Sequence, residues 1–379
     1  MVPDRGLMLV IPFVDLAAQN RALGDRLQKS ITKVLDHGSY IMGPEVFELE
    51  DRLSERVQRR HCVTCASGTD ALQMALMALE VRPGDRVVVP DFTFVATAEA
   101  VRLVGAEPIF ADIDPVTYNL DPDSAESAWE LPGRLPVGVI GVDLFGNPAS
   151  SRELEQLAHR HGAWLIVDGA QSFGATRDGR SGIAHGVVAT TSFYPSKPLG
   201  AYGDGGAVFC DDDQLAADLR SIGNHGADGV SDFHDRVGLT GRLDTVQAAV
   251  LLAKLTLFDS EIEERRQVAE RYSEALTGLV SPPRTEANVE SAWAQYTVEV
   301  EGREVVRSMM GREGIPTCVF YPHPVHSNPA YDECQVVSGG TPVATKASSR
   351  VMSLPMHPYL EESVQDRIVL AFETALAGR

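Results

Sequence analysis

The residue whose type and setting most suggest chemistry is Lys197, in Ser192-Phe-Tyr-Pro-Ser-Lys197-Pro-Leu-Gly-Ala-Tyr-Gly-Asp-Gly-Gly206. Glycines at 200, 203, 205 and 206 carry no side chain, so a bulky group can approach this backbone closely. A lysine so placed suits imine formation with a carbonyl. A solvated lysine in a glycine-rich turn has the same local sequence, so the rest of the chain must decide.

Asp168 ends the apolar run Ala163-Trp-Leu-Ile-Val167. A carboxylate emerging there suits a buried cation such as a protonated pyridine nitrogen, or else a cap or turn. Ala66-Ser-Gly-Thr69 leads into a helical pattern, bringing backbone N–H groups of Gly68 and Thr69 to a positive helix terminus that can cradle a phosphate. The same residues also make a good N-cap. Ser192, five residues before Lys197, offers another hydroxyl. Phe94, just past a strand end, either stacks on a flat ring or packs in the core. Gln171 can bond a phenolic ring oxygen. Lysine for an imine, carboxylate for a pyridinium, helix terminus for a phosphate and aromatic for a ring together describe pyridoxal 5'-phosphate.

These residues need strands and crossovers to position them. Short apolar runs at 61–65, 86–90, 108–111, 137–142, 163–167, 187–191 and 206–210 alternate with helical patterns at 69–79, 96–104, 122–129 and 151–161. That alternation predicts an α/β large domain around a mostly parallel seven-stranded sheet, whose ligands gather beyond the carboxyl ends of the strands. Helices are predicted at 20–36 and 44–60, and two long ones over about 242–258 and 260–279. Beyond Pro282-Pro283, a strand at 294–301, a helix at 304–313, a strand at 317–321 and a helix at 362–377 predict a smaller α+β domain. The domains are expected at 1–258 and 259–379. The segment 321–342 reads as a lid or a long surface loop.

With 33 basic and 53 acidic residues the net charge is −20, which disfavours nucleic acid and anionic lipid as partners. No apolar run reaches the ~18 residues of a membrane span. The run at 7–14 lacks the features of a signal peptide, so a cytoplasmic location is expected. Five cysteines point to a reducing compartment. Cys62-Val-Thr-Cys65 has no second pair to complete a metal site, so it reads as structural and no metal is expected.

The chain resembles the DegT/DnrJ/EryC1/StrS sugar aminotransferases, which have the fold-type-I aspartate aminotransferase architecture. The resemblance is carried by Phe13-Val-Asp-Leu, Gly43-Pro-Glu45, Ser67-Gly-Thr-Asp-Ala-Leu72, Asp168-Gly-Ala-Gln171, Ser192-Phe-Tyr-Pro-Ser-Lys197, Gly203-Asp-Gly-Gly206 and Arg242-Leu-Asp-Thr-Val-Gln247. It implies Lys197 as the imine-forming lysine, Asp168 at the pyridine nitrogen and Gln171 near the ring oxygen. Gly68, Thr69 and Ser192 would hold the phosphate.

The resemblance also implies a homodimer with shared sites. Arg242 would reach the partner's site to pair with a substrate carboxylate, or would serve as a cap or structural ion pair. Ser196-Lys-Pro-Leu-Gly200 and Met352-Ser-Leu-Pro-Met-His-Pro-Tyr359 look most like members that aminate C3 of UDP-2-acetamido-2-deoxy-3-oxo-glucuronic acid, with L-glutamate as donor. A dTDP-3-keto-6-deoxysugar or an aminocyclitol precursor is the alternative substrate, and a non-catalytic cofactor-binding regulator the alternative class.

Two positions depart from the family pattern. Thr240 stands where an asparagine would reach the partner's phosphate, and Phe320 precedes Tyr321 where histidine is common. His323 and His326, with Tyr321, are candidates for the sugar end of the pocket. Replacing Lys197 by Ala is expected to abolish amino transfer, measured as 2-oxoglutarate release; retained turnover would remove Lys197 from its role.

Overall fold

The computed structural model describes residues 11–227, 229 and 233–378. The first part of the apolar run at 7–14, and residues 228 and 230–232 of the glycine- and aspartate-rich segment at 223–241, lie outside the described residues.

The chain opens with α1 (Leu16–Leu23) and α2 (Asp25–His37), where the sequence predicted one helix over 20–36. Gly24, at φ +54°, turns the backbone between them, and its N–H closes on the carbonyls of Asn20 and Arg21. Helix α3 (Pro44–Val57) begins on a proline whose missing N–H is not needed in a first turn, and it buries Val46, Leu49, Leu53 and Val57 on one face.

The alternating part follows as β1 (His61–Cys65), α4 (Gly68–Ala78), β2 (Arg86–Pro90), α5 (Ala96–Leu103) and β3 (Glu107–Ala111). It continues through α6 (Pro122–Glu126), β4 (Pro136–Val142), α7 (Ser151–Arg160) and β5 (Trp164–Asp168). After the short β6 (Thr176–Arg177) and β7 (Arg180–Ser181) come β8 (Val188–Ser192) and β9 (Gly206–Cys210). The chain then runs through α8 (Asp213–Gly223), α9 (Thr245–Leu255), α10 (Phe258–Leu276), β10 (Val289–Glu290), β11 (Tyr296–Glu299) and α11 (Arg303–Arg312). It ends with β12 (Gln335–Val336), α12 (Pro342–Arg350), β13 (Val351–Leu354) and α13 (Glu362–Ala377).

The main sheet has the order β1-β9-β8-β5-β4-β2-β3-β12. Every neighbouring pair from β8 to β12 is parallel, and β9 is antiparallel to both β1 and β8. The carboxyl ends of β2, β4, β5 and β8 therefore share one edge, and Asp168 pairs in register with Thr190. All seven predicted strands are present. The eighth, β12, comes from the segment read as a lid or loop, where Gln335 and Val336 pair with Ile109 and Phe110.

Other elements also depart from the sequence reading. The strand predicted at 317–321 is reduced to one bridge between Cys318 and Ser353, with Pro316 and Pro322 bounding it. Helix α8 was not anticipated, although Asp212 caps it by accepting the Leu215 N–H, and Ala216, Leu219 and Ile222 face the core. Helix α12 buries only small side chains, and its free N–H groups at Val343 and Ala344 are accepted by the distant Asp112 carboxylate.

Two core clusters flank the main sheet. A third gathers α10, α11, α13 and the β11–β13 pair around Tyr272, Tyr296, Met310 and Phe372, and Ile11 joins it. Helix α10 runs between cores, with Phe258 beneath the main sheet and Leu276 in the third cluster. Among the described residues no helix is long and apolar enough to cross a membrane. Phe209 of β9 is fully buried in the main core, so Phe209→Ala is expected to cost about 3–5 kcal/mol, read from chemical denaturation. A loss below about 1 kcal/mol would contradict this placement.

Candidate active site

The site is built where the strands stop. Strand β5 delivers Asp168, 5% exposed, at its last position. Its carboxylate accepts from Thr97 Oγ1 at 3.1 Å and from Ala170 N–H at 3.1 Å. Burial pushes its pKa up, while Ala170, the Lys197 ammonium and Thr97 pull it down. A buried carboxylate of raised proton affinity suits a partner that brings its own proton, as a pyridinium nitrogen does.

Strand β8 ends on Ser192 and leads into the Lys197 loop. Lys197 N–H donates to Tyr194 O at 2.9 Å, and the loop closes where Ala201 N–H donates to Phe193 O at 2.7 Å. Desolvation pulls the Lys197 pKa down to about 8, with the Asp168 carboxylate opposing the shift. At pH 7 roughly a tenth of the side chain is then free amine, far more than an ordinary lysine supplies.

Helix α4 opens against Ser192. Ser67 caps it by accepting the Asp70 N–H at 3.0 Å, which leaves the first-turn N–H groups at Gly68 and Thr69 near the Ser192 hydroxyl. A Cβ on Gly68 would lie 2.7 Å from Ser192 Cβ, and one on Gly206 would lie 2.4 Å from Ser67 O. The backbones meet so closely here because both positions are glycine. A helix N-terminus, a serine hydroxyl and a side-chain-free wall fit a phosphate group.

Aromatic rings form the other wall. Phe94 is 52% exposed, so it is not a core residue, and its ring lies 6.0 Å from that of Tyr321. Phe92 is the buried one, in edge contact with Phe145 and Tyr321. Gln171 is engaged on both sides: Nε2 donates to the Tyr321 hydroxyl at 3.1 Å, and Oε1 accepts from Phe145 N–H at 2.6 Å.

The remaining candidates lie apart. His326 is bolted to Asp91, with its N–H on Oδ1 at 2.8 Å and its Nδ1 at 2.5 Å from Oδ2. Thr341 Oγ1 donates to the same buried carboxylate at 2.6 Å, so Asp91 fastens both ends of the segment that follows Tyr321. His323 is exposed. Phe320 packs edge-on against Phe13 at 6.2 Å, which accounts for an apolar ring at this position. Thr240 Oγ1 meets His225 Nε2 at 3.0 Å, and Arg242 Nη1 donates to Asn224 Oδ1 at 2.6 Å. Arg242 lines a cleft of about 510 Å³ with Met42, Phe47 and Arg220, away from the residues grouped around Lys197. Among the described residues its buried Nε has no hydrogen-bond partner.

Sequence reading missed Thr97, Asp143 and Phe145. Asp143 follows β4 as Asp168 ends β5, so the same strand-end signal was available. It is fully buried, its pKa is pushed up to about 7 by desolvation, and its N–H donates to Asp168 O at 3.0 Å. Phe145 sits at φ +60°, a conformation that sequence does not announce for a phenylalanine.

The model of the DegT/DnrJ/EryC1/StrS aminotransferase family matches residues 21–373. The chain belongs to this family. It is 48% identical to the UDP-2-acetamido-2-deoxy-3-oxo-D-glucuronate aminotransferase of Pseudomonas aeruginosa, over 93% of this chain and 96% of that one. It is 39% identical to the UDP-N-acetyl-3-dehydro-alpha-D-glucosamine 3-aminotransferase of Acidithiobacillus ferrooxidans, over 97% and 98%. A crystal structure of a family member from Brucella abortus superposes with a TM-score of 0.94 at 46% identity, covering 96% of this chain and 99% of that one. The Bacillus subtilis NtdA structure with bound cofactor PMP superposes with a TM-score of 0.89 at 27% identity, covering 99% and 86%. The protein is thus a fold-type-I sugar aminotransferase dependent on pyridoxal 5'-phosphate, and the cradle, carboxylate and lysine fit that group.

Gly68→Ala is expected to weaken cofactor binding at least about tenfold with the fold retained, measured by equilibrium dialysis and circular dichroism. Wild-type affinity would place the phosphate elsewhere.

Proposed function

We propose that this protein moves an amino group from L-glutamate to C3 of UDP-2-acetamido-2-deoxy-3-oxo-glucuronic acid. The observation that carries the reading is the desolvated Lys197 coupled to the buried Asp168 at one sheet edge, in a chain so similar to an aminotransferase named for that sugar. Residues 1–258 are the cofactor-binding unit and 259–379 the smaller one.

Gly68, Thr69 and Ser192 would hold the phosphate, Asp168 would keep the ring nitrogen protonated and Phe94 would offer a stacking face. Gln171, which holds Tyr321 in place, would be available to the ring oxygen. When bound, the cofactor supplies a carbonyl to take up the amino group and a pyridinium that accepts the electron pair released at the donor's Cα. Lys197 Nζ would hold the cofactor at rest and then, as a free amine, remove the Cα proton from glutamate. In the second half it returns a proton to C3 of the sugar. A lysine pKa near 8 serves both directions because neither protonation state is rare near neutral pH.

Two copies share their sites. Tyr40, Ile41, Met42 and Phe47 are large and exposed, and Met42 and Phe47 line the cleft that holds Arg242, which supports a second chain covering them. Arg242, whose buried Nε has no partner among the described residues, pairs with the substrate's uronate carboxylate in the partner's site. His326 serves the Asp91 bolt, while His323 stays free to meet the nucleotide sugar. The five cysteines are free thiols, which supports a cytoplasmic location.

Spectra of the cofactor-loaded protein test the substrate. Glutamate should convert the absorption band, and only a UDP-3-keto-uronic acid should restore it; restoration by a dTDP-keto-deoxysugar instead would contradict the proposal. A pH series on the cofactor-free protein tests Lys197. Only the neutral amine attacks the cofactor carbonyl, and its fraction falls as pH drops below the lysine pKa of about 8. The capture rate should therefore rise about tenfold from pH 6 to 7 and level off above about 8.5. A flat profile would contradict it.

A further inference from the structure

Two side chains on α9, used by none of the steps above, grip the loop that carries Lys197. Gln247 and Lys254 are seven residues apart, two helical turns, so they lie along one face of the helix. Gln247 holds Tyr202 twice, accepting its N–H at 2.8 Å through Oε1 and donating to its carbonyl at 3.3 Å through Nε2. Lys254 is 1% exposed, donates from Nζ to Gly200 O at 2.6 Å, and lies 4.2 Å from the centroid of the Tyr202 ring.

The gripped residues are the returning limb of the loop. Phe193 N–H donates to Gly205 O at 2.7 Å and Ala201 N–H to Phe193 O at 2.7 Å, so Lys197 sits midway in a closed excursion. There is no slack at Gly200, where a Cβ would lie 2.4 Å from Pro195 O. Movement at Gly200 or Tyr202 is therefore passed to Lys197.

A buried ammonium needs an opposite charge, since one carbonyl and a ring face do not neutralise it. Glu261 of α10, 4% exposed, supplies it through space. Glu261 accepts from Gln19 Nε2 at 2.9 and 3.1 Å and from the Tyr359 hydroxyl at 2.5 Å, and its charge is also felt by the buried Arg265. Charged or titratable groups coupled to the pair are thus Arg265, Tyr202 and Tyr359. Burial pulls the Lys254 pKa down to about 8, with Glu261 opposing. The Tyr359 segment and α1 both hydrogen-bond to this one carboxylate.

We propose that Gln247 and Lys254 are positioning residues that set the loop bearing Lys197. The proposal rests on Lys197 being the cofactor's lysine.

Hydrogen exchange and the pH titration of the bound-cofactor absorption band test it in Lys254→Met, Lys254→Arg and Gln247→Ala. In Lys254→Met and Gln247→Ala, amides of 199–206 should exchange at least about tenfold faster, with β4 and α7 as in wild type. The titration midpoint should shift by about half a unit or more. The kcat should fall about tenfold with KM for glutamate within about twofold, and Lys254→Arg should recover part of each effect.

Wild-type exchange and midpoint in Gln247→Ala would overturn the proposal, and that variant decides alone if Lys254→Met does not fold. Exchange in cofactor-free protein reads the grip whatever Lys197 does. A wild-type band in Lys197→Ala would instead overturn the lysine assignment.

Discussion

The structure depends on two opposite charges, Asp168 and Lys197, brought to one sheet edge where each feels the other. Asp168 is buried at the end of β5, and Lys197 is desolvated on the loop that leaves the neighbouring β8. Each group's burial disfavours its own charge and each stabilises the other's. Such a pair survives only where the scaffold fixes both partners. Parallel strands in register do that for Asp168, and the closed, glycine-walled loop does it for Lys197.

Around this pair the fold supplies hydrogen bonds in layers. Thr97 and Ala170 hold the Asp168 carboxylate, and Asp143 holds its carbonyl. Gln171 ties the turn at Phe145 to Tyr321, which arrives from a segment bolted down by Asp91. Elements far apart in sequence thus reach one edge with little freedom left. Amino transfer needs this, since one lysine must serve the cofactor, the donor's Cα and the sugar carbon in turn.

The sheet was legible because its strands are short, β-branched and bounded by turns, and because buried parallel strands read as unbroken apolar runs. Lys197, Asp168 and the Ser67-Gly-Thr69 turn were legible for the same reason, as polar residues placed where those runs stop. Phe94 was ambiguous, since nothing in Asp91-Phe-Thr-Phe94 says that Phe92 goes inward and Phe94 outward. Gly24 gave no warning that it would split a helix. The tie of His326 to Asp91, 235 residues away in the chain, could not be read by pattern. Gln247 and Lys254 were invisible as a pair of grips because their partners are backbone carbonyls and amides, which every residue carries.

The central claim is that the Asp168 carboxylate keeps the cofactor ring protonated while Lys197 stays available as a base. Nitrogen-15 NMR of the protein loaded with ring-labelled cofactor reads the ring nitrogen directly. The account predicts a protonated pyridinium signal from pH 6 to 9 that is lost in Asp168→Ala. A neutral pyridine signal over that range in the unmodified protein, or a pyridinium signal that persists in Asp168→Ala, would contradict it.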